Sequence, residues 1–131
     1  MPYVAIVTVL ALIEFLWFGI MVGKARGRFK IPAPAMSGHE IFDRYFRVQM
    51  NTLEQLVMFL PALWIFALYV SPIWAAALGV VFIIGRAVYA IGYISHPSKR
   101  SLGFALSSIP MLLLLIGILI WAIRAIAIGA A

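Results

Sequence analysis

Between Glu40 and Gln55 the chain reads EIFDRYFRVQMNTLEQ, a stretch that holds three of the four acidic residues of a 131-residue sequence. On a helix, at about 100° per residue, Glu40, Asp43, Arg44, Arg47, Asn51, Glu54 and Gln55 share an arc of roughly 120°. Phe42, Phe46, Val48, Met50, Leu53 and Leu56 lie mainly elsewhere. The stripe leads straight into the apolar run from Leu56 to Val70. Charges at membrane depth cost about 2.5–3.5 kcal/mol each on insertion scales unless they face a protein interior and find partners. Such a stripe is a candidate site. A second set, Arg86, Tyr89 and Tyr93, recurs at spacings of three and four and so shares one helix face within roughly 60°. Tyrosines near a membrane interface often serve only as belt residues. An arginine one turn deeper on the same face makes that reading less sufficient.

Arg26, Arg28, Arg44, Arg47, Tyr89, Tyr93 and Arg100, with Asn51 and Glu54, all fall at one end of the predicted spans or in the loops that border it. Together they form an anion receptor with one built-in partner for a cation, Glu54. Arginines bind carboxylates through charge-assisted hydrogen bonds, and amide side chains fix orientation. A tyrosine hydroxyl or an arginine beside a ligand thiol favours the thiolate, the reactive form, over the thiol with its reference pKa of about 8.5. A ligand with two carboxylates, an ammonium group, amides and a thiol matches this set, and glutathione is one. Composition alone does not separate it from other peptides and organic anions.

The elements that hold these residues are membrane spans. The sequence is 66% hydrophobic and 11% charged, far from the soluble range. About 20 apolar residues cross a bilayer, and four stretches qualify: Pro2 to Gly23, Leu53 to Val70, Ile73 to Ile94 and Leu102 to Ile123. The fold class expected is an all-α integral membrane protein, a four-transmembrane-helix bundle forming a single domain over residues 1–131. The first stretch is too long for a signal peptide and lacks a small-residue cleavage site, so it reads as a retained helix, roughly Tyr3 to Ala25. Net charge is +6, but it is no nucleic-acid footprint. Lys24, Arg26, Arg28 and Lys30 follow the first span, and Lys99 and Arg100 follow the third, while Tyr69-Val70-Ser71-Pro72 carries no charge. The positive-inside rule then puts both basic loops on the cytoplasmic side, with Arg124 alone dissenting.

Ser37-Gly38-His39-Glu40 reads as a capping box opening a second helix that runs to about Tyr69. Pro61 and Pro110 are expected to bend their helices. Ser71-Pro72 is a tight turn, which makes the second and third helices antiparallel neighbours. The fourth helix opens at Ser101 or Leu102. Glu14 stands alone near the middle of the first span, where pairing with a polar group of another helix is the expected role. The absence of cysteine leaves no disulfide and no protein thiol nucleophile, and His39 and His96 alone argue against a metal site.

The stretch FDRYFRVQMNTLEQLVMFLPALW resembles the signature region of the MAPEG family, the membrane-associated proteins of eicosanoid and glutathione metabolism. That family carries an E-R-x-x-R-x-x-x-N-x-x-E pattern on its second helix, with Asp43 here in place of the first glutamate. ARGRF at the end of the first helix, RAVYAIGY on the third and KRSL opening the fourth agree in order and spacing. The resemblance implies a homotrimer of four-helix protomers with glutathione, the co-substrate, bound between neighbouring subunits on the cytoplasmic side. It assigns Arg47 and Asn51 to the γ-glutamyl carboxylate, Glu54 and Tyr89 to its amine, and Arg26 and Gln49 to the glycyl end. Gln49 lies opposite Arg47 on its helix, as a contact to a second subunit's site would need. Tyr93 would line the site and Arg100 would stabilise the thiolate.

Two departures bear on activity. The family's eicosanoid-forming synthase has adjacent arginines where this chain has Arg26-Gly27, with Arg28 a candidate substitute, and a tyrosine where it has Gln55. The resemblance thus implies a microsomal-type glutathione transferase acting on lipophilic electrophiles, with lipid hydroperoxide reduction as a second activity. The membrane would be the inner membrane of a bacterium or the endoplasmic reticulum of a eukaryote. Two other readings stand beside it: a non-catalytic lipid-binding member, and a small multidrug transporter using Glu14. The arginine face of the second helix is superfluous for a cation transporter.

Overall fold

The computed structural model describes residues 1–129; the last two residues of the expected domain lie outside the described residues. Four helices account for most of it: α1 (Pro2–Phe29), α2 (Glu40–Tyr69), α3 (Pro72–Ser95) and α4 (Ser101–Ala127), with a 3₁₀ turn over Pro97–Arg100 before α4. All four are long and apolar enough to cross a membrane. Large apolar side chains such as Ile6, Leu16, Ile84, Ile91, Leu119 and Ile123 face outward, as a lipid surrounding demands.

α1 continues a full turn beyond the expected Ala25, so Arg26 and Arg28 belong to its last turn and not to the loop. Cations there meet the unpaired carbonyls and negative end of the helix, which favours its extension. Lys30 ends the helix with a left-handed backbone (φ 56°), its N–H donating to the Arg26 carbonyl. The capping box expected at Ser37 is also displaced. α2 is capped by His39, whose Nδ1 accepts from the Ile41 N–H at 3.1 Å, while Asp43 accepts from Gly38 N and Ser37 Oγ at 3.2 and 3.0 Å. With Glu40 already the first helical residue, Asp43 supplies the carboxylate that ties back the chain before the helix. α2 and α4 both run on as helix through Pro61 and Pro110. Ser71 caps α3, its hydroxyl accepting from the Trp74 N–H at 3.2 Å.

α2 and α3 form the middle of the bundle; α1 packs across both on one side and α4 across both on the other. The core between α2 and α3 includes Phe59 and Phe82, stacked at 3.9 Å between centroids, with Leu63, Val4, Val7 and Leu114 around them. The α3–α4 contact is the most extensive and depends on two glycines. A Cβ on Gly85 would stand 2.5 Å from Ser107 N, and one on Gly103 would collide with the Tyr89 backbone. Membrane helices lack a water-driven force between them, so close backbone approach at small residues gives the packing energy. Here it also sets the distance between Tyr89 and the start of α4.

Candidate functional site

At the loop-bearing end of the bundle a cavity of about 610 Å³ opens between α2, α3 and the start of α4. α2 contributes Arg47 and Asn51, one turn apart; α3 contributes Tyr89 and Tyr93; Arg100, Ser101, Phe104 and Ala105 close the third wall. Tyr89 is buried and its ring stacks on Tyr93 at 5.6 Å. Arg100 comes from the turn Pro97–Arg100, which His96 caps by accepting from the Ser98 N–H at 3.3 Å. One Arg100 nitrogen donates to the Pro97 carbonyl at 3.0 Å, which leaves the exposed guanidinium with further N–H groups at the cavity. Among the described residues no carboxylate lines this cavity.

Behind it lies Arg86, completely buried. Its guanidinium donates to Asn51 Oδ1 at 2.7 Å, to Thr52 Oγ1 at 2.9 and 3.3 Å, and to Ser107 Oγ at 3.2 Å. It also sits 4.3 Å from the centroid of the Tyr89 ring, within cation–π range. One side chain thus joins α2, α3 and α4 at the floor of the cavity.

Five of the residues expected at the site, Arg47, Asn51, Tyr89, Tyr93 and Arg100, therefore meet in one protomer. Three do not. Glu54 lies outside the cavity, 3.8 Å from Arg47 in an exposed ion pair. Gln49 faces α1, with its amide close to Gly19. Arg26 folds back onto the loop, donating to the Ala35 carbonyl at 2.7 Å with Phe42 beneath it, in a separate depression shared with Lys30 and Pro32. Arg28 lies over Phe29. Arg44, grouped with the anion receptor in the sequence, instead caps the end of α3: it donates to the carbonyls of Ile94 and Ser95 at 3.1 and 3.3 Å and pairs with Glu40 at 2.7 Å. Gln55, placed at the edge of the polar stripe, is buried in the bundle. Glu14 has no hydrogen-bond partner among the described residues. It lines a different, largely apolar groove of about 470 Å³ with Trp17, Phe18, Met21 and Ala90. The Arg86 network went unassigned in the sequence. Arg86 shares a face with Tyr89 and Tyr93, but nothing in the spacing of Thr52 and Ser107 announces them as its acceptors.

The fold and this cavity define a polytopic helical membrane protein with a cationic, tyrosine-walled recess at the loop-bearing end. The model of the MAPEG family matches residues 4–120, and the chain belongs to that family. It is 46% identical over 123 residues to an uncharacterized protein of Synechocystis sp., covering 92% of this chain and 90% of that one. It is 40% identical over 116 residues to human microsomal glutathione S-transferase 2, covering 88% and 79%. Bovine leukotriene C4 synthase is 31% identical over 96 residues, 73% of this chain and 64% of the synthase. The chain is a multi-pass membrane protein of this family.

Proposed function

We propose that this protein is a membrane glutathione transferase that joins the glutathione sulfur to lipophilic electrophiles. One observation supports this above the others: Arg47, Asn51, Tyr89, Tyr93 and Arg100 converge on one recess free of carboxylates. The similarity to microsomal glutathione S-transferase 2 points the same way. In this reading Arg47 and Asn51 bind the γ-glutamyl carboxylate, while Tyr89 takes its amine together with Glu54, which stands outside the recess 3.8 Å from Arg47. Arg26 and Gln49, which lie away from the recess of their own protomer, reach the glycyl carboxylate in the site of an adjacent subunit of a trimer.

Arg100 sits beside the sulfur. Its fixed positive charge stabilises the thiolate and so favours transfer of the thiol proton to water. The sulfur lone pair then forms the S–C bond as the leaving group departs with the electrons of its own bond. Arg100 acts only on the reacting atom, whereas Arg47 acts on a carboxylate that does not change during the reaction. The same thiolate can attack a lipid hydroperoxide, releasing an alcohol and a sulfenic acid that a second glutathione converts to the disulfide and water. The electrophile arrives dissolved in the bilayer, and the recess opens to the cytoplasmic side, where the basic loops lie. Purified protein in detergent should bind glutathione and show the ultraviolet absorbance of a thiolate near neutral pH. Absence of both signals would overturn the reading.

A further inference from the structure

We infer that Arg86 is a positioning residue for ligand binding: it turns the Asn51 amide so that only hydrogen-bond donors face the recess. The inference rests on the proposed glutathione site. A guanidinium has five N–H donors and no acceptor, so whatever touches it presents an oxygen. Thr52 and Ser107 meet this demand because their own hydroxyl protons go elsewhere, to the Val48 carbonyl at 2.8 Å and to the Gly103 and Phe104 carbonyls at 3.1 Å. Asn51 meets it with Oδ1, at 2.7 Å. That commits its carbonyl to the buried arginine and leaves the NH₂ group for the recess it lines.

An asparagine is otherwise ambidextrous, able to turn either a donor or an acceptor to a ligand. Here the choice is made from behind, by a residue with no access to the ligand. The Asn51 NH₂ then joins the guanidinium groups of Arg47 and Arg100, and a carboxylate entering the recess meets donors from α2 and from the start of α4. Arg86 also lies under the Tyr89 ring at 4.3 Å, which holds a second wall of the recess in place. The effect belongs to binding. Arg100, the group assigned to the sulfur, makes no hydrogen bond to this network.

The test is a double-mutant cycle of Arg86→Lys and Asn51→Ala, with glutathione affinity read by calorimetry and KM and kcat read with an activated chloroarene. Arg86→Lys should raise KM for glutathione about tenfold and leave kcat within about threefold, since a lysine cannot hold Asn51, Thr52 and Ser107 together. With Asn51→Ala in place, Arg86→Lys should add little, less than about twofold. Additive effects on KM, or a loss of kcat and thermal stability with KM unchanged, would make Arg86 a scaffold residue and overturn the inference. If Arg86→Lys does not fold, Asn51→Asp decides the question. It gives Arg86 a full carboxylate and should fold at least as stably as the parent, yet bind glutathione ten times more weakly or worse. Parental affinity in that variant would overturn the inference. Wild-type protein that bound no glutathione would instead sink the proposed site, and the inference with it.

Discussion

Arg47 and Arg100 carry the same group into the same recess, yet different kinetics should follow from replacing each. Arg100 faces the position assigned to the sulfur, so its contact strengthens as negative charge gathers there. Arg100→Ala should lower kcat by about 10²-fold or more, as expected for loss of one charge-stabilising donor, with glutathione affinity changed only several-fold. The pH at which bound thiolate absorbs should rise in the same variant. A wild-type rate with an unchanged thiol titration would reduce Arg100 to a membrane anchor. Arg47 is assigned to a spectator carboxylate and acts equally on ground and transition states, so Arg47→Ala should raise KM first. The two membrane-level carboxylates separate in the same way. Glu54 stands 3.8 Å from Arg47, whereas Glu14 lines another groove. Glu54→Gln should therefore weaken glutathione binding more than Glu14→Gln, and equal losses would count against the site. Proton-coupled drug efflux abolished by Glu14→Gln would favour a transporter.

At the level of helices, the recess exists because α3 and α4 approach to backbone contact at Gly85 and Gly103. A side chain on Gly103 would strike the Tyr89 backbone itself, which cannot yield as a flexible side chain could. Gly103→Ala should cost about 1–3 kcal/mol, the usual penalty for overpacking. It should also weaken glutathione binding, because it displaces a wall of the recess. Thermal unfolding in detergent and a glutathione titration on the same preparation check both effects. If stability fell and affinity did not, the α3–α4 spacing would matter for folding alone. The turn between these helices has a related role. Pro97 and the His96 cap set a single 3₁₀ turn, and that turn delivers Arg100 to the recess while Lys99 stays exposed.

At the scale of the whole molecule, Arg26 and Gln49 are expected ligands of a recess that neither lines in its own protomer. Arg26 folds onto its own loop, and Gln49 borders α1 on the far side of α2 from Arg47. One recess shared between neighbouring protomers accounts for both. The protein should then run as a trimer in detergent and in bilayers, by mass determination of the protein–detergent complex or by cross-linking. A monomer with full glutathione affinity would rule out a site between subunits. Gln49→Ala mixed with Arg47→Ala protein should restore some wild-type sites in hybrid trimers, because the intact Arg47 of one variant then meets the intact Gln49 of the other in a single site.

Four helices, their order and the arginine-bearing face of α2 were legible in the sequence because they depend on short-range facts. Runs of about 20 apolar residues, a 100° helical step, and the energetic penalty on charge in lipid require no knowledge of neighbours. The α2 stripe was legible for that reason, and so was the shared face of Tyr89 and Tyr93. Arg44 falls beside Arg47 on the same stripe, and a helix projection cannot tell which of two neighbouring arginines faces a recess and which meets the end of α3. Arg26 and Arg28, expected in a loop, lie instead in the last turn of α1. Glu14, for which a polar partner on another helix is expected, makes no hydrogen bond among the described residues but interacts electrostatically with Arg86 of α3, and the hydrogen-bond partners of Arg86 are not legible in the spacing of that face. Only the tertiary structure decided these points. A guanidinium's acceptors at Asn51, Thr52 and Ser107 lie on two other helices, 35, 34 and 21 residues away in sequence. Nothing local in the sequence encodes a distance that depends on how closely Gly85 and Gly103 let the helices approach.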